Sequence, residues 1–188
     1  MKKVGIVGIG DMGSGLAKNL IKNGFSVIGL DLSEHRNVAF EAMGGQLAKD
    51  FAEIGRASDA VFVMVMNGTQ AKEILLGENG LVASMEKGGT ILLTATIKPT
   101  EAREIGAAMA GSGIDLIDSP VSGGFPGAQV GSLTLMAAAP ANILAKNRRV
   151  MEAVSKTIHH VGSDAGMGQT VKACLQSLIG SIFSATFE

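Results

Sequence analysis

Apolar residues along this chain gather into short, β-branched runs separated by stretches with helical spacing. Runs at 4–8, 26–30, 60–66, 90–93 and 114–117 are apolar at nearly consecutive positions, the pattern of strands covered on both faces. Between them, 12–23, 69–76 and 99–110 carry apolar residues at helical intervals. The last of these opens well, with Pro99 in the first turn and Glu101 and Glu104 near the positive end of the helix dipole. The alternation predicts an α/β protein with a doubly wound, mainly parallel sheet. Strands at 133–137 and 157–161, joined by a helix over 140–155, extend it. From about Met167 the pattern changes. Val171, Leu175, Leu178 and Ile182 follow helical spacing, while Cys174, Ile179, Phe183 and Phe187 fill the other faces. A helix apolar nearly all round belongs inside a larger body. Here it is expected to expose a broad apolar face, because the sequence stops at Glu188.

Composition narrows the field. Hydrophobic residues make up 46% of the chain and charged residues 18%, which is a packed globular balance. A net charge of −1 offers nothing to nucleic acid or to an acidic membrane. The single cysteine rules out an internal disulfide and is expected in the core rather than as a nucleophile. The opening Lys2-Lys3 is followed by an apolar run that is short, broken by glycine and interrupted by Asp11, so no secretory signal is read. No stretch has the length of a membrane span, and a cytoplasmic location is expected.

The 26 glycines against 4 prolines are the compositional outlier, and six positions explain why they matter. Gly8-Ile9-Gly10-Asp11-Met12-Gly13 follows the first expected strand and opens the first expected helix. In that setting G-x-G-x-x-G is a dinucleotide fingerprint. Gly8 makes the turn, Gly10 lets a pyrophosphate approach the main chain, and Gly13 brings helix against strand. The helix N-terminus supplies N–H groups and a positive dipole end to the phosphates. The second strand ends at Asp31, 21 residues beyond Gly10, where a carboxylate accepts from ribose hydroxyls and repels a 2′-phosphate. NAD is therefore expected over NADP, with Arg36 five residues on as a moderating charge. The fold is expected to be of the Rossmann type.

Later segments carry a more specific likeness. Asp118-Ser119-Pro120-Val121-Ser122-Gly123-Gly124, then Gly127-Ala128 and Gly131-Ser132-Leu133-Thr134-Leu135-Met136, resembles the substrate-binding signature of the β-hydroxyacid dehydrogenases. Gly166-Met167-Gly168-Gln169 leading to Lys172 resembles that family's catalytic helix start. The resemblance runs along the whole chain. It implies an NAD-dependent oxidoreductase acting on a small hydroxyacid, with Lys172 as general acid or base and Ser122, Gly123, Gly124 and Gln176 holding the substrate. It implies a cofactor set of Gly8, Gly10, Asp11, Met12, Gly13, Asp31, Met66, Asn67 and Thr96. Chemistry is consistent with the lysine role, since an ammonium in an apolar site exchanges protons nearer neutrality.

Departures from the family pattern bear on the substrate. Many members have Asn where Gln176 stands, and often another at Leu175. An Asp and a Ser are common at the positions of Leu93 and Ala95. The segment Val65-Met66-Asn67-Gly68-Thr69-Gln70 and the helix start Gln169-Thr170-Val171-Lys172 look more like the L-threonate dehydrogenase branch. Family members continue into an all-helical domain, so residues 1–163 are expected to be the NAD-binding domain and 164–188 the start of the helix leading onward. A homo-oligomer formed through that helix is expected. The alternative is an NAD-binding module without catalysis, its cleft left incomplete. His159 and His160 have no ligand spacing, and no metal site is expected.

Overall fold

The computed structural model describes residues 3–188. The elements follow one another as β1 (Lys3–Val7), α1 (Asp11–Lys22), β2 (Ser26–Leu30), α2 (Glu34–Ala42), β3 (Gln46–Leu47), α3 (Phe51–Ala57) and β4 (Ala60–Val63). Then come α4 (Gly68–Leu76), α5 (Leu81–Ser84), β5 (Thr90–Leu93), α6 (Pro99–Met109), β6 (Asp115–Asp118) and β7 (Val121–Ser122). The chain closes with α7 (Gly124–Val130), β8 (Leu133–Ala138), α8 (Ala141–Glu152), β9 (Ser155–Gly162) and α9 (Met167–Phe187).

Among the described residues one sheet takes all nine strands, in the order β3-β2-β1-β4-β5-β6-β8-β7 with β9 on β8. The first six strands in that order are parallel, in register from Val4↔Val27 and Val4↔Ala60 through Leu93↔Asp118. Polarity reverses at β8, which runs antiparallel to β6 through Asp118↔Ala138 and antiparallel to β7, while β9 lies parallel to it. The expected doubly wound, mainly parallel sheet is what forms. The segment 60–66 stops being a strand at Val63: Met64 and Val65 still pack against the two cores, but Met66 and Asn67 are exposed in the turn into α4. The helix expected to reach 155 ends at Glu152, and β9 takes the residues from Ser155 onward.

Strand side chains alternate between two cores. Val4, Ile6, Phe62 and Leu92 lie in one, against Leu16 and Leu20 of α1 and Val150 of α8. Val61, Val63, Ile91 and Leu93 lie in the other, against Ile54 of α3, Leu75 of α4 and Ile105 of α6. Period-two alternation therefore becomes burial on both sides, as near-continuous apolar runs require.

Helix starts are set locally. Asp50 accepts the Glu53 N–H at 2.6 Å at the head of α3, and Asn67 accepts the Gln70 N–H at 2.9 Å at the head of α4. In α6, Pro99 takes the first turn and Glu101 reaches back to the Lys98 N–H at 2.9 Å.

Helices α1 and α7 touch through their main chains. A Cβ on Gly15 would lie 2.6 Å from the Ala128 carbonyl carbon, and buried Asn19 donates to the carbonyls of both Gly15 and Ala128 at 2.8 Å. By contrast α9 buries only Gly168, Gln169 and Lys172, and exposes Leu178, Ile182, Phe183 and Phe187. The expected apolar face is there. Cys174 was expected in the core and is instead exposed, since α9 has left the body of the protein by that point. Among the described residues no helix is long and apolar enough to cross a membrane.

The α1–α7 contact gives a stability test. Gly15→Val is expected to cost about 1–3 kcal/mol, the usual price of overpacking, read as a lower urea midpoint at unchanged slope. Gly180, with nothing within 4 Å of an added Cβ, is the contrast. Gly180→Ala is expected to hold or raise the midpoint, by up to about 1 kcal/mol.

Candidate functional site

The parallel strands all point their C-terminal ends toward one edge of the sheet, and chain order reverses between β1 and β4. A crevice at such a reversal is where open α/β sheets bind ligands. On one lip, Gly8 turns the chain out of β1 with φ +88°, and a Cβ there would lie 2.1 Å from the Met64 carbonyl oxygen. Only glycine fits so close to the end of β4. A Cβ on Gly13 would lie 1.9 Å from the Gly8 carbonyl oxygen, so the first turn of α1 sits directly on the loop. Gly10 caps α1, Asp11 is exposed at its first position, and Met12 is half-buried beside it. This bare main chain opening a helix fits a pyrophosphate, for the dipole and N–H reasons already given. The other lip is Met66 and Asn67, both exposed, with Asn67 occupied in capping α4.

Asp31 does more than end β2. Its Oδ2 accepts the Ile9 N–H at 2.7 Å and its Oδ1 accepts the Ser33 N–H at 2.9 Å, so one carboxylate ties the glycine loop to the second strand. Asn37 holds the Asp31 main chain from both sides, accepting its N–H and donating to its carbonyl, each at 2.9 Å. Arg36 Nη1 stands 3.6 Å from Asp31 Oδ1, and the guanidinium lies beside Gly10. The loop-bracing role of Asp31 and the part played by Asn37 escape sequence reasoning. Serine two residues after the aspartate is the signal for the local turn; nothing local announces the long-range bond to Ile9.

The remaining candidates cluster around the foot of α9. β6 ends in Asp118. After Ser119-Pro120 the chain pairs again with β8 through Ser122↔Thr134, turns at Gly123 with φ +122°, and enters α7 at Gly124. Thr96 is exposed in the loop after β5. Lys172 is only 8% exposed, and burial holds its ammonium below the ordinary lysine value of 10.5. Gln176 lies one turn further along the same helix face and is exposed.

Two residues that the sequence shows only as members of motifs prove central here. Asp118 is wholly buried, and burial pushes its carboxyl above the ordinary range even though N–H groups of Gln169, Gly166 and Gly168 favour the ionised form. Gln169, 1% exposed, donates from Nε2 to Asp118 Oδ1 at 2.9 Å and to the Ala95 carbonyl at 3.0 Å. Its Oε1 accepts the Ile97 N–H at 3.1 Å. A carboxylate closing an otherwise apolar strand is the signal that could have marked Asp118.

Known proteins share this fold. The family described as NAD binding domain of 6-phosphogluconate dehydrogenase matches residues 3–162. An L-threonate dehydrogenase of Escherichia coli O6:H1 is 36% identical over 186 residues, covering 98% of this chain and 62% of its own length. An NAD-dependent L-serine dehydrogenase of Pseudomonas aeruginosa is 35% identical over 188 residues, covering 100% of this chain and 63% of its own. The crystal structure of a 3-hydroxyisobutyrate dehydrogenase from Salmonella typhimurium superposes with a TM-score of 0.92 at 31% identity, over 98% of this chain and 65% of that one. The chain thus spans somewhat less than two thirds of the relatives it matches. With a match over nearly all of its sheet and relatives that are hydroxyacid dehydrogenases, the chain belongs to the family of the NAD binding domain of 6-phosphogluconate dehydrogenase.

Proposed function

We propose that this chain is the nicotinamide-binding part of an NAD-dependent oxidoreductase that interconverts a small β-hydroxy acid and its carbonyl form. The observation that carries the reading is a lysine buried at the foot of α9, on the same sheet edge as a dinucleotide loop. In this reading residues 1–163 form the NAD-binding domain and 164–188 begin the helix into a further, helical one. A second copy covering the apolar face of α9 would make the protein a homo-oligomer. L-Threonate is the first substrate to test, because a relative carrying that name shares this chain's full span.

NAD, when bound, supplies the hydride acceptor. Gly8, Gly10 and Gly13, with Asp11 and Met12, would hold its pyrophosphate at the head of α1. Asp31 would hold the adenosine ribose, and Met66, Asn67 and Thr96 would hold the nicotinamide half. Ser122, Gly123 and Gly124 hold the substrate carboxylate through a hydroxyl and main-chain N–H groups, and Gln176 adds an amide. Neutral Lys172 takes the hydroxyl proton as hydride leaves the same carbon, so alcohol becomes carbonyl and the amine becomes ammonium. In the reverse direction the ammonium returns that proton to the developing alkoxide.

Three outcomes test this. Lys172→Ala is expected to lower hydroxyacid oxidation by about 10²–10⁴-fold, the usual worth of a general base, while NADH binding by fluorescence is retained. Oxidation needs the neutral amine, so its rate is expected to rise with pH through a midpoint below 10.5, because burial favours the uncharged form. A rate that is flat with pH would remove the lysine from the mechanism. For the cofactor, Arg36 offsets the Asp31 charge from 3.6 Å. Arg36→Ala is expected to weaken NADPH binding about tenfold more than NADH binding, a difference of about 1.4 kcal/mol. Equal weakening of the two would assign Arg36 no part in discrimination.

A further inference from the structure

A carboxylate taken out of water is costly unless donors meet it, and the usual donor is a lysine or an arginine. At Asp118 the donors are main-chain and amide groups. Oδ2 receives the Gly166 N–H at 2.7 Å and the Gln169 N–H at 3.3 Å, while Oδ1 receives the Gln169 side chain at 2.9 Å. The acceptor thus sits at the N-terminal end of α9, where N–H groups lack helical partners and the dipole is positive. The charge is met by α9 itself, so the helix is held to the last residue of β6.

Gln169 extends that hold to the loop after β5. Its amide grips the main chain on both sides of Thr96, donating to Ala95 at 3.0 Å and accepting from Ile97 at 3.1 Å. The amide cannot be flipped, since its oxygen faces an N–H while its nitrogen faces a carbonyl and a carboxylate. Packing makes the same join. A Cβ on Gly168 would lie 2.6 Å from the carbonyl oxygens of both Asp118 and Met136, and 3.0 Å from Pro120 Cδ. The first turn of α9 therefore rests on the main chains of β6 and β8, beside the segment leading to Ser122. Lys172 follows Gln169 by three residues, about one turn.

We propose that Asp118 and Gln169 are positioning residues for the reaction, a clamp that fixes Lys172, Thr96 and the Ser122–Gly124 segment relative to one another. The proposal rests on the reading of Lys172 as the acid and base. Neither residue touches the reacting atoms; each acts through the first turn of α9.

The test compares Gln169→Leu, Asp118→Asn and their double variant with Val150→Ala, a cavity in the core between α8 and the sheet. Two readouts are taken on the chain with NAD present: kcat and KM for hydroxyacid oxidation, and the Lys172 ionisation midpoint by NMR after ¹³C reductive methylation, assigned with Lys172→Ala. Gln169→Leu is expected to lower kcat about 10–100-fold with a small change in KM, since a misplacement of about 1 Å costs up to about 10². Its Lys172 midpoint is expected to rise toward 10.5 as water reaches the ammonium. The double variant is expected to lose no more than the worse single, as for two members of one unit. Val150→Ala is expected to unfold earlier with kcat and midpoint unchanged.

A Gln169→Leu protein that unfolds early like Val150→Ala, yet keeps the parent kcat and midpoint, overturns the clamp and leaves a structural contact. If the parent oxidises no hydroxyacid, the functional reading fails on its own. The Lys172 midpoint still decides the clamp in that case: an unmoved midpoint in Gln169→Leu overturns it and a raised one supports it. Should Gln169→Leu not fold, Gln169→Glu keeps the acceptor for Ile97 but sets a carboxylate against Ala95 and Asp118, and the same direction of change is expected.

Discussion

Burial of the central strands on both faces governs everything else in this molecule. β1, β4 and β5 send alternate side chains into two separate cores, so no polar group can be offered to a ligand from the middle of the sheet. Chemistry is confined to the strand ends, where the chain must turn. At the C-terminal edge every turn carries a polar or glycine-rich segment: Gly8 to Gly13 after β1, Asp31 after β2, Asn67 after β4, Thr96 after β5 and Asp118 at the end of β6. The site is thus a sum of strand ends brought level by parallel register, and its residues are distant in sequence for that reason.

The two carboxylates at that edge are met mainly by N–H donors, Asp118 by main-chain and amide groups and Asp31 by main-chain groups with Arg36 3.6 Å away. Asp31 and Asp118 play matching parts, each accepting N–H groups from a helix or loop that lies over its strand. One braces the dinucleotide loop and the other braces the lysine helix. Burial raises the Asp118 carboxyl and lowers the Lys172 amine, so both groups are pushed toward their uncharged forms in the same small region. Pairs of groups displaced from their ordinary values are characteristic of reactive sites rather than of surfaces.

The fold was legible because its signals are periodic and local. Consecutive apolar runs mark β1, β2 and β5 to within a residue and β4 with an end three residues too late, and the Gly8–Gly13 spacing marks the turn into α1. Short elements such as β3, α5 and β7 have too few residues to show a period, and are defined by what they pair with or pack on. The same division holds in the site. Lys172 stands out as a lone charge in an apolar helix, and Asp31 by its distance from Gly10. Gln169 and Asn37 do not stand out, because their partners lie on other elements and the bonds exist only after folding. Cys174 misleads for a related reason: apolar neighbours in sequence imply burial only while the helix stays against the body.

The way α9 is anchored has a mechanical consequence. The buried residues of α9 all lie in its first two turns, and Lys172 is the last of them. From Gln169 to Phe187 the helix runs about 27 Å, whereas Lys172 lies about 4.5 Å from the same pivot, at 1.5 Å per residue. The helix is a lever with the lysine beside its fulcrum. A tilt of about 5° would carry the far end through more than 2 Å and the lysine through less than half an ångström, on that same geometry. Whatever engages the outer turns can swing through a wide arc while the Lys172 amine scarcely leaves its place.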